Sequence, residues 1–231
     1  MKKLLLLVAL ASFAASASAQ SSVFSFRKPD KPVTIGVRAG VNFSGIIDNN
    51  EEFDKTKTGF NVGVNLDLPI VQSLYIQTGL YFTTKGAKTE QKANDKYWDK
   101  AQINPMYLEL PLNLSWRLDA SEYTQFQVNI GPYFAVGMGG KYKVDKGGSE
   151  STVNELVKQP LFSNKSDLAY PMRRGDIGLG VGAGVTIHKI YLGFNYSFGF
   201  KNLWKNTDAN QYADRIKFKN RNFTIQVGYN F

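Results

Sequence analysis

His188 is the only histidine in this chain of 231 residues, and there is no cysteine. Catalysis built on an imidazole would have to use His188, while thiolate metal sites, disulfide frameworks and lipid-anchored lipoproteins are excluded. Glu109 and Asp176 form a candidate carboxylate pair, but both fall within alternating strand segments, where buried polar support is the better use for them. No metal-ligand cluster, phosphate-binding glycine loop or nucleophile elbow occurs. No catalytic residue, metal or cofactor is therefore expected. Trp98, Trp204 and the surrounding lysines are the other candidates, as a glycan- or lipopolysaccharide-binding surface set against ordinary solvated loops.

The elements that would position these groups are strands. Successive side chains of a strand point to opposite faces, so a strand with one wet and one apolar side alternates in sequence. Eight segments do this: 33–43, 59–68, 74–84, 105–118, 123–137, 176–187, 190–200 and 221–231. In the last, Phe223, Ile225, Val227, Tyr229 and Phe231 oppose Thr224, Gln226, Gly228 and Asn230. In the fourth, Met106 to Leu118 alternate strictly with Tyr107 to Arg117. Pro111 and Pro132 sit inside strands and predict a bulge or a missing ladder bond. Thr152-Val153-Asn154-Glu155 fits a capping box and predicts a short helix over 152–158.

The connections alternate long and short. Turns at 69–73, 119–122 and 188–189 separate connections over 44–58, 85–104, 138–175 and 201–219. No apolar run is long enough for a membrane helix. An even number of strands of about ten residues, with short turns at one end and long loops at the other, is the pattern of an outer-membrane barrel. The expected fold is all-β: an eight-stranded antiparallel up-and-down transmembrane β-barrel over 33–231, with short periplasmic turns and long outer loops.

The partition of charge supports a lipid-facing side. Arg38, Asp67, Glu109, Arg117 and Asp176 all have the parity of the polar face, and the apolar face carries no charge. A Lys or Arg on the lipid face near the midplane would cost roughly 2–4 kcal/mol. Phe43, Phe60, Phe82, Phe134, Phe200 and Phe223 have outward parity near the loop ends; Trp116, Phe126 and Phe231 have it near the turn ends. Two aromatic girdles are expected. An eight-stranded barrel is just wide enough to be filled by side chains. Inward tyrosines and charges would plug it, with Arg38 or Arg117 paired to Glu109 or Asp67. The glycines of 176–187 would leave room for them.

The N-terminus resembles a targeting segment. Met1-Lys2-Lys3 precedes the apolar run Leu4–Leu10, and Ala17-Ser18-Ala19 forms a cleavage signal. Residues 1–19 are expected to be a signal peptide cut between Ala19 and Gln20, and 20–32 a flexible periplasmic lead-in. Removal lowers the formal charge from +9 to about +7.

Specific words in the sequence resemble a known family. Met106-Tyr-Leu-Glu-Leu-Pro-Leu-Asn-Leu at 106–114 is similar to the Tyr-Leu-Glu-Ile-Pro-Leu motif of the small outer-membrane β-barrels common in Bacteroidetes, often labelled porin-like or PorT-like. Gly131-Pro-Tyr-Phe, Asp176-Ile-Gly-Leu-Gly-Val-Gly-Ala-Gly and the terminal Tyr-Asn-Phe look like its other signposts. The resemblance covers about residues 33–231. It implies residence in the cell outer membrane and an assembly signal, at Tyr229 and Phe231, read by the barrel assembly machinery. PorT-type members are linked to type IX secretion, but no residue here singles out that subgroup.

Some eight-stranded barrels are lipid A deacylases or palmitoyl transferases, which need a histidine near the outer interface. His188 falls in a periplasmic turn, and a non-enzymatic protein is expected. The three later loops carry a formal charge of about +8 in sum, against about −2 for 44–58. They would attract phosphorylated lipopolysaccharide; no nucleic-acid partner is expected. The leading expectation is a structural or interaction barrel with a largely plugged interior. A small-solute porin and a PorT-like accessory of type IX secretion are the alternatives. A secreted soluble barrel of lipocalin type would reverse the faces, with Phe43 and Phe231 inward.

Overall fold

The structure, a computed structural model, describes residues 25–29, 31–47, 55–94, 97–148, 155–162, 172–203 and 218–231. The targeting segment, with Ala19 and Gln20, and Trp204 lie outside the described residues. All regular structure among them is antiparallel strand. Ten strands form: β1 Thr34–Ile47, β2 Lys55–Val71, β3 Leu74–Thr84, β4 Ala87–Asn94, β5 Tyr97–Ser121, β6 Thr124–Gly148, β7 Glu155–Pro160, β8 Gly175–Ile187, β9 Ile190–Gly199 and β10 Lys219–Asn230.

Eight of them are staves of a closed ring, in the order β1, β2, β3, β5, β6, β8, β9, β10, with β10 returning to β1. The closing register runs from Gly36 opposite Asn230 to Ile47 opposite Lys219. Closure leaves no unpaired edge around the wall, the one arrangement that lets strands cross lipid.

The outer connections differ from the expected loops. Strands β5 and β6 rise as a 25-residue pair well past the other staves. The segment read as a polar loop over 85–104 holds β4, which pairs with β5 and, at Lys55 and Thr56, with β2. The capping box predicted a helix over 152–158; residues 152–154 lie outside the described residues, and 155–158 are strand, not helix. Glu155–Pro160 instead pairs with Lys141–Lys146 of β6. The exposed edge of so long a hairpin offers a ladder of hydrogen bonds that a short isolated helix cannot match.

The turns are two residues each, at 72–73, 122–123 and 188–189. His188 takes the left-handed conformation that the last of these needs (φ 55°). The two prolines leave their mark on the β5–β6 ladder. Pro111 pairs with Tyr133 and Leu114 with Ile130, the residues between them are unbridged, and the register does not slip.

The apolar parity faces out. Val41, Val64, Leu112, Ile130, Leu192 and Val227 are exposed around the wall, as are Phe43 at 39% and Phe231 at 69%. This overturns the lipocalin alternative, which needed both phenylalanines inside.

Candidate functional site

The inward parity fills the lumen, and its charges are arranged in levels. Near the turn end Arg117 Nη2 lies 2.7 Å from Asp67 Oδ2, and both side chains are buried. Arg117 also lies 4.2 Å over the Tyr75 ring, and Gln77 Nε2 donates to Asp67 Oδ1 at 2.9 Å. Higher, Glu109 Oε2 meets Lys85 Nζ at 2.5 Å, not either arginine. Lys85 is 1% exposed and 4.3 Å from the centre of the Tyr133 ring. Asp176 accepts from Tyr133 Oη at 3.1 Å and Asn220 Nδ2 at 2.8 Å. Arg38 stacks 3.8 Å over Tyr191. The sequence placed Lys85 in a loop. The signal that could have found it is the parity of β3, since Tyr81, Thr83 and then Lys85 continue one inward row.

A second network is neutral and ties the staves together. Asn42 Nδ2 donates to Thr83 Oγ1 at 2.8 Å and to the Thr84 carbonyl at 2.9 Å. Asn42 Oδ1 accepts from Asn61 Nδ2 at 3.1 Å and Thr224 Oγ1 at 3.0 Å. One amide thus bridges β10, β1, β2 and β3. Each satisfied bond is worth about 0.5–1.5 kcal/mol net, and losing one partner of a buried pair costs more.

The large rings fit because their neighbours are glycines. A Cβ on Gly178 would sit 2.5 Å from the Tyr133 ring, and one on Gly184 2.6 Å from Tyr191. Between the filled levels a cavity of about 60 Å3 remains, lined by Arg38, Tyr81, Glu109, Tyr191 and side-chain amides. Toward the turns a vestibule of about 250 Å3 opens between Arg117, Tyr75, Thr124 and Lys189.

Above the charged levels the inward residues become apolar. Ile46, Ile103 and Tyr142 of the staves and Ala87 of β4 pack with Leu161, Met172, Leu203 and Phe218 from the connections. Four backbone bonds hold these connections over the mouth: Leu161 N–H to Gly140, Met172 N–H to Leu161, Arg173 N–H to Leu203 and Leu203 N–H to Phe218. Phe162 packs edge-on against Tyr107 at 5.9 Å and joins this cap to the lumen. Gly137 leaves its seat open, since a Cβ there would lie 2.4 Å from the Phe162 ring. Nothing in the sequence pattern announced this cap.

The aromatics expected to form the girdles lie on the outward face of the wall. Phe43 and Phe223 are 6.4 Å apart across the β1–β10 seam, Phe60 and Phe82 6.0 Å apart, and Phe198 and Phe200 5.3 Å apart edge to face. Phe126 and Phe134 are exposed, and Trp116 is half-buried, sharing a shallow apolar pocket with Phe26 of the lead-in. Tyr229 and Phe231 pack edge to face at 5.4 Å, and Phe231 N–H donates to the Ile35 carbonyl. The lead-in also touches the turn end: Lys31 Nζ reaches Asp119 at 2.6 Å, and Gln72 N–H donates to the Arg27 carbonyl. His188 is exposed and stacks on Tyr123 at 4.6 Å, far in the fold from Glu109 and Asp176. Among the described residues no group of three or more His, Cys, Asp or Glu could hold a metal ion.

A closed ring with an apolar outside and a polar, charged inside is the inverse of a soluble protein. The sequence matches the outer membrane protein beta-barrel domain family over residues 18–205. The chain belongs to that family. This outer-membrane barrel resembles solved structures at low identity. Ail, the attachment invasion locus protein of Yersinia pestis, is 14% identical, with 87% of this chain and 100% of that chain covered and a TM-score of 0.41. Neisserial surface protein A gives the same identity, coverage and TM-score. The N-terminal barrel of Pseudomonas aeruginosa OprF is 6% identical over 84% of this chain and 97% of its own, with a TM-score of 0.27. The curated proteins contain no match. The barrel resides in the outer membrane.

Proposed function

We propose that this barrel is a non-enzymatic structural and interaction protein that does not conduct solutes and meets its partners through the extension above the outer rim. The observation that carries this is the double seal: ion-paired levels fill the lumen, and an apolar cap covers its outer mouth. A porin needs a continuous wet path, and an apolar constriction resists wetting. Purified protein in planar bilayers is expected to give no single-channel steps; regular steps would favour the porin.

The outer leaflet supplies the first partner. Lys141, Arg173, Lys201 and Arg221 are exposed near the outer ends of β6, β8, β9 and β10. That places cations beside the outward aromatics, where phosphorylated lipopolysaccharide would present its anions. Binding to the isolated lipid should weaken on its dephosphorylation and with added salt; equal retention of both forms would remove this partner. Membership of the Bacteroidetes PorT-like branch, with a role beside a secretion apparatus, rests on the resemblance of 106–114.

A further inference from the structure

A segment ahead of a first strand frays unless it is tied down, and the lead-in is tied to the turn end of the wall. Ser25 Oγ donates to Gln72 Oε1 at 2.5 Å, and Ser25 N–H donates to Ser73 Oγ at 3.2 Å. Gln72 N–H donates to the Arg27 carbonyl at 3.1 Å, and Lys31 Nζ holds Asp119 at 2.6 Å. Between these ties sits Phe26, 77% exposed. The strap is fixed in place, and it presents a bare aromatic ring.

With Val71, Leu74 and Trp116 that ring walls a crevice of about 120 Å3. Leu74 and Trp116 are opposite each other in the β3–β5 register, on the outward parity, so the crevice belongs to the lipid face and not to the lumen. About 10–15 Å3 holds one water, which also needs several polar partners. The two serines at the border already bond to the turn and to each other's residues, and the rest of the lining is apolar. Such a slot takes hydrocarbon in preference to water. A smooth stave lets lipid slide past, whereas a slot with a second wall retains one chain.

The charge beside it narrows the occupant. The short turns of an outer-membrane barrel face the periplasm, so this rim meets the phospholipid leaflet and not the lipopolysaccharide. Arg27 and Lys28 follow Phe26 in the chain and are exposed. Neither has a carboxylate of a described residue within 4.0 Å. Aromatic rings settle at the boundary of acyl chains and headgroups, and cations beside them attract anionic lipid.

We propose that the strap and the wall form a binding site for one anionic glycerophospholipid of the inner leaflet, with an acyl chain between Phe26 and Trp116 and the phosphate on Arg27 and Lys28. This lipid staples the lead-in to the barrel. The site stands whether or not the barrel conducts or binds lipopolysaccharide.

The probes are phosphatidylglycerol and phosphatidylcholine in equal parts. The full chain, folded into nanodiscs of that mixture and released in a native mass spectrometer, is expected to keep a single phosphatidylglycerol. Phe26→Ser should lower that adduct severalfold. The double variant Arg27→Gln, Lys28→Gln should keep a lipid but lose the preference for phosphatidylglycerol. All three side chains are exposed, so the variants should fold. No adduct, a spread of several lipids with none dominant, or a single adduct that survives Phe26→Ser overturns the proposal. So does a headgroup preference that the double variant keeps. Lipid A supplied alongside should not displace the phospholipid; a lipid A adduct that Phe26→Ser removes would give the slot to the other leaflet and overturn the assignment.

Discussion

Below the outer girdle β5 turns Tyr107, Glu109, Asn113, Ser115 and Arg117 inward; above it the same strand turns in Ile103. Strand β1 makes the same change, from Arg38, Asn42 and Ser44 to Ile46, and β6 from Gln127 and Asn129 to Tyr142. One continuous sheet therefore has two opposite interiors. The cause is what lies outside it. Where lipid surrounds the wall, apolar side chains face out at no cost, and the lumen must satisfy its polar groups internally. Where water surrounds the extension, burial of apolar surface drives the greasy groups inward, as in any soluble core. Alternation supplies two faces, and the solvent chooses between them.

The two interiors should fail in different ways. Asp67→Ala strands Arg117 as a buried charge, and losing one partner of such a pair costs about 3–5 kcal/mol. Urea unfolding of the barrel in lipid vesicles should register it as a drop in the global midpoint. Replacing both residues by apolar ones of similar volume should restore most of the loss; a single variant as stable as wild type would mean the pair carries nothing. Leu161→Ala removes a fully buried side chain from the cap, at a local cost of about 2–5 kcal/mol. Amide exchange at Met172 and Leu203 should quicken while the midpoint of the wall holds. A matching fall of that midpoint would merge cap and wall into one cooperative unit. On the outward face, Ile130→Lys near mid-wall should cost roughly 2–4 kcal/mol, and Met138→Lys close to the rim about 0–1 kcal/mol. Equal penalties at the two positions would misplace the boundary between lipid and water.

The staves were legible because lipid permits no exception: every charge within the apolar band had to take inward parity, and parity survives single weak positions such as Thr78. The Asp67–Arg117 pair was legible as one of four combinations, since buried charges of opposite sign must meet. Lys85 was hidden by its lysine-rich neighbours, although it continues the inward row of β3. The cap was hidden more thoroughly. Leu161 and Met172 come from the connection before β8, and Leu203 and Phe218 from the one before β10, each pair too widely spaced for a local period to mark it. The capping box misled because it weighs only its own few residues, whereas Glu155–Pro160 answers to an open strand edge on β6.

The seam between β1 and β10 has a consequence in time. Its two strands come from opposite ends of the described chain, so the first stave made waits for the last before its outer edge is paired. Until then the growing sheet is a ribbon with two open edges and a greasy side, the state most prone to wrong pairing. The entropy of joining such distant segments also has to be met before their hydrogen bonds contribute. Closure is thus the slow and vulnerable event in the life of this molecule, and a cell that makes it must shelter an unfinished cylinder until the final stave arrives.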